Sequence, residues 1–124
     1  MHYIAMNRFK VAPENEEAFK QRWLTRDVYL HTVPGFVSFY LLRGPETPDH
    51  VLYVSHTIWN TKEDFENWTR SAQFRSAHAS AGQGVSLTTG PNQFEGFEVL
   101  QAILPDGQKM TSEAVVPEKA TVDS

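Results

Sequence analysis

Three residues of this sequence have side chains suited to binding chemistry, and two of them lie in one short stretch. The stretch NWTRSAQFRSAH (67–78) holds Trp68 and His78 ten residues apart in a small and polar helical run. A neutral imidazole can ligate a metal ion, and an indole offers a large flat surface. The third residue is Asn7, whose amide has two N–H donors. Taken singly, each of these residues is more often structural, so a structural role and a shared binding role both stay open.

The common catalytic motifs do not occur in the sequence. It has no cysteine, which excludes a disulfide framework, a thiolate nucleophile and an iron–sulfur cluster. No GxGxxG, P-loop, GxSxG or HExxH pattern is found. The histidines lack the i, i+4 spacing of a zinc-binding helix; they are His2, His31, His50, His56 and His78. Motif and spacing therefore define no site by themselves.

Length and charge restrict the class of protein. The 124 residues suffice for one domain with a modest core, and a formal charge of −4 without basic clusters disfavours nucleic acid as the main partner. The start MHYIAMNRFK alternates and does not have the pattern of a signal peptide. No apolar run approaches the roughly 18 residues that a membrane span needs. We therefore expect a cytoplasmic domain that binds a small molecule or another protein.

Alternation and turn residues predict four strands, the second and third joined by a short polar turn into an antiparallel hairpin. On the first strand, Asn7 and Phe9 lie on one side, and Ile4 and Met6 lie on the other. The central position of Asn7 means that its amide must find hydrogen-bond partners. The predicted strands cover residues 2–11, 35–44, 51–60 and 94–104.

Helical spacing predicts two helices. The first begins at Pro13, and the second begins with a capping-box signal, either Asn60 with Glu63 or Thr61 with Asp64. A break near residue 71 separates the second helix from a further helical piece. The first helix has an apolar stripe of Phe19, Trp23, Leu24 and Val28. The second helix and the piece after it carry Phe65, Trp68, Phe74 and His78.

The order of elements predicts an α+β fold of the ferredoxin-like βαββαβ type, with one four-stranded antiparallel sheet and both helices on one face. The other face carries apolar residues such as Ile4 and Met6 and has no helix left to cover it. We therefore expect a homodimer with face-to-face sheets. Residues 1–104 form this domain, and residues 105–124 are predicted to be a mobile tail or an arm that contacts a partner.

Five segments carry a resemblance to a known family: MNRF (6–9), PGFVSFYLLRGP (34–45), LYVSHTIWNTKEDFENW (52–68), FRSAH (74–78) and FEGFEVL (94–100). Across about residues 2–101 the sequence resembles the IsdG-type haem-degrading monooxygenases. These belong to the antibiotic biosynthesis monooxygenase (ABM) superfamily of dimeric α/β-barrel proteins. The haem-degrading members use an asparagine, a tryptophan and a histidine at the positions of Asn7, Trp68 and His78. Many other relatives lack the histidine, so the trio is more specific than the fold.

The resemblance implies a role for each member of the trio. His78 is the single proximal ligand of the haem iron, which leaves the other axial position open for dioxygen. Asn7 donates a hydrogen bond to the ligand on that open side, and Trp68 pushes the porphyrin out of plane. On a regular helix Trp68 and His78 lie about 80° apart and about 15 Å apart along the axis, so they need not touch each other. Haem is then both cofactor and substrate, opened to a linear tetrapyrrole with release of iron.

The resemblance also implies further contacts. The pocket lies between the helices and the sheet, with Phe9, Phe65, Phe74 and Val51 as wall candidates. Electrons must come from an external reductant, because no flavin motif or second cofactor site is identified. Candidate partners for the haem propionates are Arg22, Arg26 and Arg75.

Two other functions are compatible with these residues. One is a cofactor-independent ABM oxygenase of polycyclic phenols or quinols, which has no iron for His78 to ligate. The other is a non-catalytic dimer that stores, senses or delivers haem, in which Asn7 and Trp68 are incidental. A plain structural dimer is a third and more remote alternative.

Overall fold

The fold is a strand–helix–strand–strand–helix–strand unit followed by a small hairpin. The computed structural model describes residues 2–25, 29–71 and 87–111. In chain order the elements are β1 (Tyr3–Val11), a 3-10 helix (Pro13–Asn15), α1 (Glu16–Thr25), a second 3-10 helix (Leu30–Thr32), β2 (Phe36–Glu46), β3 (Val51–Trp59), α2 (Lys62–Thr69), β4 (Gln93–Glu98), β5 (Gln101–Ile103) and β6 (Lys109–Thr111).

Four of the strands form one antiparallel sheet in the order β2-β3-β1-β4. β1 pairs with β3 along its full length, and β4 pairs with its first part. This register places Asn7 directly between Ser55 of β3 and Phe94 of β4. Directly opposed residues of antiparallel strands point to the same face of a sheet, so these three residues share a face. The predicted ferredoxin-like fold class is confirmed.

Both helices cover this same face, and the buried side chains between helices and sheet form two separate clusters. Phe19 of α1 packs against β1 and β3, whereas α2 packs with Phe65 and Trp68 over the other end of the same strands. The α1 cluster consists of Val11, Phe19, Val51, Tyr53 and Leu87, with Phe9, Trp23 and Leu41 at its edge. The α2 cluster consists of Tyr3, Ala5 and Trp59, with Leu30, Val33, Phe36, Phe65 and Trp68 at its edge.

The helix starts follow the predicted local chemistry. Pro13 opens the 3-10 helix that leads into α1, where its missing N–H has no helical partner to lose. Thr61 is the N-cap of α2, and its hydroxyl accepts from the Asp64 N–H at 3.0 Å. The predicted apolar stripe of α1 is wrong at Leu24, which is 69% exposed. Leu24 follows Phe19 by five residues, which turns it about 140° away from that buried side chain.

The predicted last strand, residues 94–104, is wrong as a single element. β4 ends at Glu98, and Gln101–Ile103 pairs instead with Lys109–Thr111 in a separate two-stranded sheet. The turn between them contains Gly107 at φ +88°, and the Asp106 carboxylate accepts from the Gln108 N–H at 2.9 Å. Residues 105–111 of the predicted tail are therefore a turn and a strand, and residues 112–124 lie outside the described part.

The second face of the main sheet, which we call the open face, carries exposed apolar side chains. Tyr40 and Leu42 of β2 are 52% and 41% exposed, and Phe97 of β4 is 46% exposed. Ile4 and Met6 of β1 lie among them and are half-buried. In the described ranges both helices pack on the opposite face, and no helix is long and apolar enough to cross a membrane.

Gly96 of β4 allows the Tyr3 side chain to approach the β4 backbone closely. The Tyr3 phenol lies where a Cβ at position 96 would be. We expect Gly96→Ala to lower the free energy of unfolding by about 1–3 kcal/mol, because the Tyr3 ring must move out of the α2 cluster. Gly90→Ala is the control, because a Cβ there meets no atom within 4 Å. Urea unfolding measures both variants, and equal stabilities would contradict the role given to this contact.

Candidate functional site

Asn7 lies at the centre of β1, between the two clusters. Ala5, two residues earlier, belongs to the α2 cluster, and Phe9, two residues later, packs against the α1 cluster. Ser55, directly opposite on β3, is only 6% exposed. Asn7 and Ser55 thus place two polar side chains between the two apolar clusters. We call Asn7, Ser55 and Phe94 the central surface.

The Asn7 amide makes a contact that the sequence did not reveal. Asn92, the residue before β4, donates from Nδ2 to Oδ1 of Asn7 at 3.0 Å. The Asn7 oxygen is therefore engaged, and its nitrogen, which carries the two N–H donors, points away from Asn92. No local motif identifies Asn92, because its closeness to Asn7 depends on the pairing of β4 with β1.

Stacked aromatic rings border the central surface on the α2 side. Phe65 stacks on Phe94 with ring centroids 5.5 Å apart and planes 9° apart, and it also contacts Tyr3 at 5.5 Å. Phe94 is 48% exposed, so part of its ring remains accessible. Phe65 packs beside the central surface, and a ligand contact for it stays a prediction. Phe94 was missed, although the alternation of FEGFE puts Phe94 and Phe97 on opposite faces.

Trp68 lies near the end of α2, on the same face of the sheet as Asn7. Its ring is 5.5 Å from that of the fully buried Trp59, with the planes tilted by 34°. The Trp68 carbonyl accepts from the Ser71 N–H at 2.9 Å and from the Ser71 hydroxyl at 2.6 Å. These bonds close the helix after Thr69 and confirm the predicted break near residue 71.

The two wall candidates on the sheet differ in their position. Phe9 lies beside Asn7 on the same face, and its ring contacts those of Phe19 and Trp23 at 5.5 and 5.7 Å. Val51 is fully buried inside the α1 cluster, opposite Val11 at the end of the strand pair. Val51 is therefore a core residue rather than a wall of the central surface. A ligand contact for Phe9 stays a prediction.

The remaining predicted site residues lie outside the described part of the chain. These are His78, the predicted iron ligand, Phe74, and two of the three arginines, Arg26 and Arg75. Arg22 is described and lies half-buried on α1. His56 lies on the open face, away from Asn7, with its ring 5.9 Å from Tyr40. In the described ranges no three histidine or acidic side chains form a metal-binding group.

A charged network fixes the start of α1 to the sheet. Arg43 of β2 pairs with Glu16 of α1, and the Tyr53 hydroxyl donates to Glu16 at 2.6 Å. The hydrogen bond from Arg43, which has the larger effect, and the hydrogen bond from Tyr53 lower the pKa of Glu16 to about 2. The same contact raises the pKa of Arg43. Burial, and then the bond to Glu16, raises the pKa of Tyr53 to about 12.

The sequence and the fold match one family of proteins. Residues 2–80 match the antibiotic biosynthesis monooxygenase family, and the chain belongs to it. Relatives named heme-degrading monooxygenase include one from Bacillus cereus (strain B4264), 34% identical over 79 residues. Another, from Bacillus thuringiensis (strain Al Hakam), is 40% identical over 79 residues. Each alignment covers 64% of this chain and 73% of the relative.

Solved structures share the fold. MhuD, described as a heme-degrader from Mycobacterium tuberculosis with two hemes bound in its active site, matches with a TM-score of 0.61 at 24% identity, covering 82% of this chain and 98% of that one. SnoaB, a cofactor-independent oxygenase from Streptomyces nogalater, matches with a TM-score of 0.58 at 24% identity, covering 84% and 97%. At this identity the two matches concern the fold.

We expect the Glu16 network to make stability depend on pH in acid. The pKa of Glu16 is lowered from 4.5 to about 2 by folding, so its contribution is complete above pH 4.5 and is lost as the pH falls toward 2. Wild type should therefore have a higher Tm than Glu16→Gln at neutral pH, and the difference should shrink between pH 4.5 and 2. Circular dichroism melting curves measure this. Glu14→Gln controls for the loss of one negative charge, and a Tm difference independent of pH would contradict the expectation.

Proposed function

We propose that this protein is a haem-degrading monooxygenase. It binds haem and uses dioxygen and electrons from an external donor to open the porphyrin to a linear tetrapyrrole, with release of iron. The observation that carries the proposal is the amide of Asn7, which lies between two apolar clusters. The chain is also 34% and 40% identical, over 79 residues, to relatives named heme-degrading monooxygenase.

The side chains around the central surface have the chemistry that a porphyrin site needs, which supports the proposal. A porphyrin is a flat apolar ring, and its binding sites are mostly apolar with a few placed polar groups. The nearly parallel rings of Phe65 and Phe94 offer a flat apolar border, and Trp68 packs on the same face of the sheet. Asn7 supplies the polar group at the centre. The site therefore combines a flat apolar boundary with hydrogen-bond donors.

Each member of the predicted trio has a separate task in this proposal. His78 binds the haem iron from one side, because a neutral imidazole is a good ligand for haem iron. Asn7 presents its N–H donors on the other side, where a donor fixed in a dry environment is most effective. Trp68 acts by bulk and holds the porphyrin in a distorted shape. The iron supplies the site at which dioxygen is activated, and the protein orients the ring.

The propionates and the electrons need partners of their own. Arg22, Arg26 and Arg75 are the proposed propionate partners, because a guanidinium binds a carboxylate through two parallel hydrogen bonds. The reductant is a separate protein or small molecule. A cytoplasmic location stays a prediction.

The open face supports a homodimer in which two sheets pack face to face. Its exposed aromatic and aliphatic side chains, including Tyr40, Leu42 and Phe97, would otherwise remain in water. The β5–β6 hairpin extends the argument, because an isolated two-stranded hairpin is only marginally stable in water. Leu100, Ile103 and Leu104 of this segment are exposed. We propose that this segment is an arm that contacts the partner subunit and that the dimer closes into an α/β-barrel.

Haemin titration tests the function. We expect a Soret shift on binding, followed by loss of the band and release of chelatable iron when ascorbate is added with catalase present. His78→Ala should abolish the shift, because it removes the iron ligand, and His50→Ala is the control at the β2–β3 turn. Absence of a Soret shift in wild type would contradict haem binding and would favour the cofactor-independent oxygenase. A Soret band that is stable under reductant would indicate a haem carrier.

Sedimentation analysis tests the dimer. We expect Leu42→Glu to raise the dimer dissociation constant by at least about 100-fold, because it would bury an unpaired carboxylate between two sheets. Leu24→Glu is the matched control, since Leu24 is exposed on α1 rather than on the open face. A monomeric wild type, or equal effects of the two variants, would refute face-to-face packing of the open face.

A further inference from the structure

We propose that Asn92 is a positioning residue that holds the Asn7 amide with its nitrogen toward the bound ligand. The inference rests on the proposed function and adds a residue to it. Asn92 Nδ2 donates to Asn7 Oδ1 at 3.0 Å. An asparagine side chain presents an acceptor on one side and donors on the other, so rotating it by 180° exchanges the two. In the structure the contact with Asn92 holds the orientation in which the Asn7 oxygen accepts.

The other neighbours of Asn7 on the sheet do not hold it in this orientation. Ser55, opposite on β3, has a hydroxyl that both donates and accepts, so it is compatible with either orientation of the amide. Phe94, opposite on β4, has no hydrogen-bonding group. The Asn92 amide also carries both a donor and an acceptor, and in the structure its Nδ2 donor meets the oxygen of Asn7, which leaves the Asn7 nitrogen for the ligand.

The backbone around Asn92 is fixed to the same strand as Asn7. Before it, the Thr89 N–H donates to the Lys10 carbonyl at 2.8 Å, and the Ala12 N–H donates to the Leu87 carbonyl at 3.3 Å. After it, Gln93 begins β4 and pairs with Arg8. Asn92 is thus held on both sides by segments paired with the end of β1, and its amide has a defined position relative to Asn7.

The position of Asn92 also explains why the contact would strengthen on binding. Asn92 is exposed and Asn7 is half-buried in this chain, so water competes for their hydrogen bond. A flat apolar ligand over the central surface excludes that water, and a hydrogen bond in a dry environment is electrostatically stronger. The orientation of Asn7 is therefore most firmly held when the ligand is present.

Asn92→Asp is the informative change, because a carboxylate accepts but does not donate. It should turn the Asn7 nitrogen toward residue 92 and its oxygen toward the ligand. In the ferric haem complex we expect the fluoride dissociation constant to rise roughly 10-fold to 100-fold, since fluoride loses a hydrogen bond from Asn7. In the ferrous carbon monoxide complex we expect the C–O stretch to move to higher frequency, because an oxygen lone pair replaces an N–H donor beside the bound gas.

Three comparisons separate positioning from other effects. Gln93→Glu adds the same charge one residue away on the open face, and it should leave fluoride affinity and the C–O stretch unchanged. Asn92→Ala should give a smaller change in the same direction, because it removes the restraint without reversing it. In an Asn7→Ala background, Asn92→Asp should have no further effect on either quantity. An effect that persists without Asn7 would overturn the inference, and circular dichroism verifies that each variant is folded.

The protein without haem provides an independent measurement. In ¹H–¹⁵N spectra, the side-chain amide signals of Asn92 should shift in Asn7→Ala, and those of Asn7 should shift in Asn92→Asp. Unchanged signals would overturn the inference even if the protein binds no haem. If wild type binds and degrades haem but Asn92→Asp leaves fluoride affinity and the C–O stretch unaltered, the positioning role is wrong and the proposed function stands.

Discussion

The antiparallel pairing of β1 with β3 and β4 is the constraint on which the site depends. It brings Asn7, Ser55 and Phe94 into one row, although they are distant in the sequence. The row falls between two apolar clusters, each of which buries one helix against the sheet. Packing of the helices therefore stabilises the fold on both sides of this row.

Much of the fold and part of the site could be predicted from local patterns. Alternation in the first strand put Asn7 and Phe9 on one side, and the start of α2 follows one of the two predicted capping signals, Thr61 with Asp64 rather than Asn60 with Glu63. Phe65 and Trp68 followed from helical spacing and lie on the face of the sheet that carries Asn7. Period and capping are local properties of the chain, so a single sequence shows them.

Other features depend on register and could not be read from spacing. Asn92 and Phe94 reach Asn7 only because β4 pairs with β1 at one particular offset. Val51 is apolar, as a pocket wall would be, but its pairing with Val11 places it in the α1 cluster. The turn at Asp106 and Gly107 is different, since an Asp-Gly pair is a local turn signal that predicts the β5–β6 hairpin.

The alternation of β1 places neighbouring residues of one strand on two different faces of the sheet. Asn7 faces the helices, while its neighbours Met6 and Arg8 face the open side. Inserting or deleting a single residue ahead of Asn7 would exchange these faces, so the proposed ligand recognition and the proposed subunit pairing would fail together. Substitutions, by contrast, act on one face at a time. The two surfaces can therefore diverge independently through point changes, whereas the length of this strand is restricted by both.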